Sequence, residues 1–111
     1  MTHQQAYNEL TAYIEKAVQI NLQHGEPELA YQKHLLLSFA NSLKTKLGDY
    51  KLHLEVLITM IDRSIEVNLE YKETKQADQL QLIYALAKSL QDRAIDPPAD
   101  NNQDVNLSLL N

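Results

Sequence analysis

Histidine is the side chain best suited to metal binding and proton transfer near neutral pH. The chain has four, spread over the N-terminus, a predicted turn and two predicted helices: His3, His24, His34 and His53. Di-iron sites in helical bundles use Glu-x-x-His, and no histidine here follows a glutamate by three positions. No two histidines have the four-residue spacing that is common in zinc sites. We therefore predict no metal site and no cofactor, and we expect His34 and His53 at or near the surface.

The other side chains that commonly carry catalysis lack the neighbours they would need. The chain has no cysteine, and its two glycines, Gly25 and Gly48, fall at predicted helix ends and form no phosphate-binding loop. Four serines lie within predicted helices, without a G-x-S-x-G motif or an activating base. We therefore predict that the protein is not an enzyme.

A row of acidic residues is the most distinctive charged feature. It runs along the end of the predicted third helix and into the following turn: Asp62, Glu66, Glu70 and Glu73. Like charges one helical turn apart repel each other mildly, and we expect Lys75 to offset part of this repulsion. The simpler interpretation is a solvated helix face. The functional interpretation is a docking surface for a basic partner, so these four residues are candidate partner-binding residues.

Four amphipathic helices are predicted to carry these side chains, because apolar residues recur every three or four positions. Their approximate ranges are 3–24, 27–47, 50–71 and 75–94. Thr2 and Gln5 have the spacing of a capping box at the first helix. Gly25 is suited to end that helix, Thr74 is a plausible N-cap of the fourth, and Pro97 with Pro98 ends it.

The sequence pattern of the first two predicted helices recurs in the last two. Residues 14–47 align with residues 61–94 at a shift of 47 without a gap, and 10 of the 34 pairs are identical. We predict an internal duplication of an αα-hairpin. Short turns make neighbouring helices antiparallel, so the predicted fold is an all-α, up-down-up-down four-helix bundle over residues 1–95. In the alternative arrangement, the two hairpins are splayed and pair with those of a second chain. The predicted protein is therefore either a monomer or a homodimer.

The matched pair Asn21 and Asn68 allows two interpretations. Heptad counting places both in a slot of the apolar seam, where a hydrogen-bonded amide can fix helix register at a cost in stability. Alternatively the seam has drifted by that point, so that Leu22 and Leu69 carry the packing and both asparagines help to end their helices. We favour the second interpretation.

The C-terminal segment, residues 96–111, differs in composition from the helices. A polar, acidic, proline-containing linker is followed by four apolar residues: Val105, Leu107, Leu109 and Leu110. These side chains dock on the chain's own bundle, form a short motif that a partner binds, or belong to a frayed end without a role. They complete the set of candidate partner-binding residues.

The composition narrows the classes of partner and location. A net charge of −5 disfavours binding to nucleic acid and to anionic membranes. The sequence has no apolar run of 18 residues and no basic-then-apolar N-terminal segment, so we expect neither export nor a membrane span. Together with the absence of cysteine, this favours a cytoplasmic protein.

We therefore predict a non-enzymatic protein–protein interaction module, an adaptor or a regulator, whose protein partner is unknown. In size, charge and the presence of a C-terminal segment beyond the bundle, the chain resembles bacteriocin immunity proteins, which serve as an example of this class. The alternative is a small-ligand-binding or regulatory bundle with a pocket between the two hairpins. We would expect such a pocket among Leu36, Phe39, Leu57 and Ile83.

Overall fold

The computed structural model describes residues 1–46 and 48–97, which form four helices and no strand. The helices are α1 His3–Gln23, α2 Pro27–Lys46, α3 Tyr50–Glu70 and α4 Thr74–Arg93. α1 packs mainly on α2 and α3 on α4; α1 also contacts both α3 and α4, whereas α2 and α4 contact each other least. The predicted all-α four-helix bundle is confirmed. The duplication stays a prediction, and the four apolar residues of the C-terminal segment lie outside the described residues.

The core is filled by large aliphatic side chains from all four helices. The following residues are almost fully inaccessible to solvent: Leu10, Ile14, Leu54, Leu57, Ile61, Leu80, Ile83 and Leu90. Near the start of α1, the hydroxyl of Tyr7 donates to the Ala40 carbonyl at 2.7 Å and so ties α1 to α2. The Tyr7 ring also meets His53, at 5.5 Å between centroids. The predicted surface position of His53 is therefore wrong, because its ring is buried between aromatic neighbours.

The first helix begins with the predicted capping box. Thr2 Oγ1 accepts from the Gln5 backbone N–H at 3.1 Å, and Gln5 Oε1 accepts from the Thr2 N–H at 2.8 Å. The prediction for the fourth helix is wrong. Glu73 is its N-cap, without a side-chain hydrogen bond, and Thr74 is already the first helical residue.

The segment after α4 returns to the start of α1. The Ile95 N–H donates to the Met1 carbonyl at 2.7 Å, and Asp96 Oδ1 accepts from the His3 backbone N–H at 2.9 Å. Hydrogen bonds from the backbone N–H and the side chain of His3 lower the pKa of Asp96, and the backbone N–H contributes most. Ile95 and Asp96 are therefore held against the first turn of α1.

Helices α1 and α3 end in the same way, at positions 47 residues apart. Gly25 and Lys72 both adopt left-handed backbone, with φ of 69° and 60°. In each turn the next residue's N–H donates to a carbonyl five residues earlier, at 2.8 Å. This is the Schellman arrangement. Glycine adopts it without strain, whereas a lysine Cβ is crowded there.

We expect Lys72→Gly to raise the free energy of unfolding by about 1 kcal/mol, because it removes that crowding. Gly25→Ala should lower the free energy of unfolding by a similar amount. Urea denaturation measures both. Lys72→Ala is the matched control, since it keeps the Cβ and should change little. A glycine variant no more stable than this alanine variant would contradict the explanation.

Candidate functional site

An exposed apolar groove runs between α2 and α3, and we call it the α2–α3 groove. Its volume is about 560 Å³, and its walls are Tyr31, Gln32, Leu35, Leu36, Phe39, Met60, Ser64 and Val67. Leu35 and Val67, on opposite walls, are 49% and 42% exposed. A neighbouring cleft shares Met60 and extends the apolar surface along α3 to Val56 and Leu52. Apolar side chains are therefore at least partly exposed along about four turns of α3, with Glu55, Thr59 and Arg63 among them.

The predicted acidic row is exposed throughout, but it does not line this groove: Asp62 lines a cleft between α3 and α4, together with Lys88. Its first three residues stand one turn apart on α3, and Glu73 is the N-cap of α4. Glu70 follows Val67 by three positions and so neighbours it on the helix surface. Lys75, which we expected to offset the row, forms an ion pair with Glu26 instead. The hydrogen bond from Lys75 lowers the pKa of Glu26.

A second groove, the α1–α4 groove, occupies the corresponding place on the opposite side of the bundle. Six of its eight lining residues lie 47 positions from residues of the first groove. It is lined by Tyr13, Ala17, Ile20, Asn21, Lys33, Gln79, Leu82 and Ile83. Its volume is about 120 Å³, and it differs from the first groove by reaching a buried polar cluster.

Lys33 is the centre of that polar cluster and is only 1% exposed. Its ammonium donates to Gln76 Oε1 at 2.7 Å and to Gln79 Oε1 at 2.6 Å, both on α4. It also donates to the Leu29 carbonyl at 3.3 Å. Desolvation by burial lowers the pKa of Lys33 to about 8, and the nearby charge of Glu26 opposes this shift.

The sequence prediction missed this cluster, although a signal was present. The inward face of α2 follows a heptad pattern: Leu29, Lys33, Leu36, Ala40 and Leu43. The inward face of α4 follows the same pattern 47 residues later: Gln76, Leu80, Ile83, Ala87 and Leu90. Lysine and glutamine each occupy a slot where the residue 47 positions away is leucine. Neither was predicted to lie on the inward face, although the spacing places both there.

The favoured interpretation of the asparagine pair is wrong. Asn21 and Asn68 are buried, at 3% and 4% exposed, whereas Leu22 and Leu69 are 50% and 48% exposed. The seam has therefore not drifted at these positions. Asn68 Nδ2 donates to the Ser64 carbonyl at 2.7 Å and to Gln32 Oε1 on α2 at 3.1 Å.

Asn21 is paired less completely than its counterpart. Its Nδ2 donates to Glu26 Oε1 at 3.0 Å. Within the described part of the chain, its buried Oδ1 has no hydrogen-bond partner. An unpaired buried acceptor costs about 1–3 kcal/mol, so this oxygen lowers the stability of the fold.

The lowered pKa of Lys33 predicts that the free energy of unfolding depends on pH in an unusual way. Between pH 8 and 10.5 the unfolded lysine binds more protons than the folded one, so stability rises with pH in that window. We expect a gain of about 2 kcal/mol between pH 7.5 and 9.5. Urea denaturation at both pH values tests this, with Lys33→Met as the control that should lack the rise. Burial raises the pKa of Tyr7 to about 12, which acts in the opposite direction only at higher pH. A rise of equal size in the variant would contradict the assignment to Lys33.

Comparisons with known proteins give no family for this chain. Neither the family models nor the curated proteins nor the solved structures that were compared match it. In residues 1–46 and 48–97, no helix has the length and apolar character needed to cross a membrane. Over the same residues, no three histidine, aspartate or glutamate side chains are grouped so as to hold a metal ion. The fold and its surface define a four-helix bundle with one open apolar groove and one groove that reaches a buried lysine.

Proposed function

We propose that this protein is a non-enzymatic interaction module that binds an amphipathic, basic helix of a partner protein in the α2–α3 groove. The observation that carries the proposal is the exposed apolar groove between Leu35 and Val67, with Glu70 one turn from Val67 on the surface of α3. Monomeric proteins rarely leave large contiguous apolar patches exposed unless these bind something.

The shape of the groove favours a helical partner. Two antiparallel helices form its walls, and its apolar floor is formed by Leu36, Phe39 and Met60. On α3 the apolar side chains extend from Leu52 to Val67, which corresponds to about 22 Å of helix. A partner helix of about 15 residues would cover this length, with its own apolar residues at i, i+3, i+4 and i+7 in the groove.

Negative charge near the Val67 end of the groove favours basic residues on the partner. The acidic row carries four carboxylates, and the ion pair of Lys75 with Glu26 leaves Lys75 engaged elsewhere. Complementary charges speed association and orient the partner more than they add affinity. A helix with lysine or arginine on one edge would therefore bind with one preferred direction.

A designed peptide tests the proposal. It is an amphipathic helix of about 16 residues with leucine on one face and lysine on the other, and the matched peptide carries glutamate in place of lysine. We expect a micromolar Kd for the lysine peptide and at least about tenfold weaker binding for the glutamate peptide at low salt. NMR should place the largest shifts at Leu35, Phe39 and Met60. Equal affinity for the two peptides, or shifts confined to the α1–α4 groove, would refute the proposal.

The alternative function, a small-ligand-binding bundle, stays a prediction. The four residues expected to surround its pocket do not line one common pocket in the structure. Leu36 and Phe39 line the α2–α3 groove, and Ile83 lines the α1–α4 groove. Leu57 lies in the closed core between them.

A further inference from the structure

We infer that residues 105–109 of this chain dock on its own α3 and there compete with the partner helix. The docking surface is the cleft that adjoins the α2–α3 groove, and we call it the α3 cleft. It is lined by Leu52, Glu55, Val56, Thr59, Met60 and Arg63. The docking itself does not depend on the proposed function, whereas the competition rests on it.

The apolar side chains of the α3 cleft and of the docking segment repeat at matching distances. Three apolar residues of the cleft follow one another at four-residue intervals: Leu52, Val56 and Met60. They are about 6 Å apart along the helix axis. Three apolar residues of the segment alternate with polar ones: Val105, Leu107 and Leu109. Alternate side chains of an extended chain point to the same side at intervals of about 6.6 Å, so one extended segment covers all three apolar residues of the cleft.

The chain after α4 is held at the end of the bundle where the α3 cleft begins. Asp96 accepts a hydrogen bond from the His3 N–H in the first turn of α1. This bond is the main cause of the lowered pKa of Asp96, and the charge of Lys51 adds to it, so Lys51 lies nearby. Lys51 directly precedes Leu52. The chain from Asp96 to Val105 can span about 30 Å, whereas the apolar residues of the cleft cover about 12 Å of helix, so the segment can reach all of them.

The charges at this end of the bundle are opposite to those of the linker. Residues 98–111 contain two acidic residues, Asp100 and Asp104, and no basic residue. Three exposed lysines lie at the end of α2 and the start of α3: Lys44, Lys46 and Lys51. Within residues 1–46 and 48–97 none of the three forms an ion pair, and Asp49 offsets only one of their charges. Attraction between the linker and these lysines favours docking on the adjoining α3 cleft.

Docking of the segment restricts access to the site of the proposed function. The α3 cleft shares Met60 with the α2–α3 groove, and the proposed partner helix covers both. A segment joined to its site by a short linker has a millimolar effective concentration. With a dissociation constant of about 0.25 mM, it would be docked about four-fifths of the time. The apparent affinity for the partner would then be about fivefold weaker.

A nitroxide spin label on the full chain tests the docking. The sequence has no cysteine, so Ser108→Cys provides a single attachment point on the polar edge of the segment. We expect the label to broaden the ¹H–¹⁵N NMR signals of Val56 and Met60 most. The signals of Ile20 and Leu82, in the α1–α4 groove, should be broadened least. Equal broadening on both sides of the bundle would overturn the inference.

A matched pair of variants in the segment tests the role of its apolar edge. Leu107→Asp combined with Leu109→Asp should reduce the broadening in the α3 cleft to the level of the α1–α4 groove. Asn106→Asp combined with Asn111→Asp adds the same charge, keeps the apolar residues and should retain the broadening. The core described above contains none of these residues, so all variants should fold. Equal loss of broadening in the two variants would contradict docking through the apolar edge.

Two further measurements separate the docking from its alternatives. When the labelled chain is mixed with an unlabelled, ¹⁵N-enriched chain, we expect no broadening, and broadening of equal size would show that the segment docks on a second copy instead. The lysine peptide should bind the leucine variant about fivefold more tightly than the asparagine variant. Equal Kd values for the two variants would contradict the competition. A peptide that binds neither variant would contradict the proposed function but not the docking.

Discussion

Replacing Lys33 and Gln76 together by leucine should raise the free energy of unfolding by about 3 kcal/mol. The substitutions place at each position the residue that stands 47 positions away, since Leu80 corresponds to Lys33 and Leu29 to Gln76. The natural pair places an ammonium and an amide in the interior, at 1% and 2% exposure. Well-packed apolar residues commonly stabilise a protein when they replace a buried charged pair, by about 1–4 kcal/mol.

The single substitutions should behave differently from the pair. Gln76→Leu removes an acceptor at 2.7 Å from the Lys33 ammonium and leaves a buried charge less well paired, so it should lower the free energy of unfolding by about 2 kcal/mol. Lys33→Leu removes the desolvated charge but leaves Gln76 Oε1 without its donor, so it should gain less than the pair. Urea denaturation of the four proteins forms a double-mutant cycle.

A surface lysine is the control for the effect of charge alone. Lys16 is exposed, and Lys16→Leu should change the free energy of unfolding by no more than about 0.5 kcal/mol. A double variant less stable than the natural protein would show that the polar cluster contributes net stability, contrary to our expectation. In that case the polar contacts of Lys33 would outweigh its desolvation.

Leu35→Glu should weaken binding of the basic amphipathic peptide at least about a hundredfold. The substitution places a carboxylate in the middle of the α2–α3 groove, where the bound helix would bury it against apolar side chains. An unpaired charge that is buried at an interface costs several kcal/mol, and about 2.7 kcal/mol corresponds to a hundredfold change in Kd. Isothermal titration calorimetry measures the effect. Because Leu35 is half exposed, the free energy of unfolding should change little.

The residue 47 positions away supplies the matched control. Leu82 occupies the corresponding position in the α1–α4 groove and is 65% exposed. Leu82→Glu adds the same negative charge to the protein, so any general attraction of a basic peptide increases equally in both variants. We expect Leu82→Glu to bind as tightly as the natural sequence or slightly tighter. Equal losses of affinity in the two variants would exclude the α2–α3 groove as the docking site.

Local features of the chain were predictable because the groups that determine them are close in sequence. The capping box needs only Thr2 and Gln5. The end of α1 needs only a residue that tolerates positive φ, which Gly25 does. The lengths of the four helices followed from the spacing of apolar residues, and the short turns followed from the helix ends. These features depend on interactions within about five residues, which a single sequence displays directly.

The candidate site was predictable only in part. The acidic row was correctly expected on the surface, because its three residues on α3 repeat every four positions on one exposed face. The apolar α2–α3 groove was not predicted. Its two walls, with Leu35 on α2 and Val67 on α3, come from helices that had been described separately by their inward faces. A groove is a property of two surfaces at a given separation, and a stripe on one helix does not specify that separation.

By itself, the sequence determined the helices, their ends, their order and most of the core. Only the tertiary structure determined whether the polar residues in the seam find hydrogen-bond partners when they are buried. Lys33 can remain inside because Gln76 and Gln79, more than 40 positions away, supply its acceptors, whereas one oxygen of Asn21 has no partner among the residues that the structure describes. A polar side chain is buried at acceptable cost only where a distant residue completes its hydrogen bonds. That condition depends on how the helices approach one another, and it makes the two sides of this bundle different.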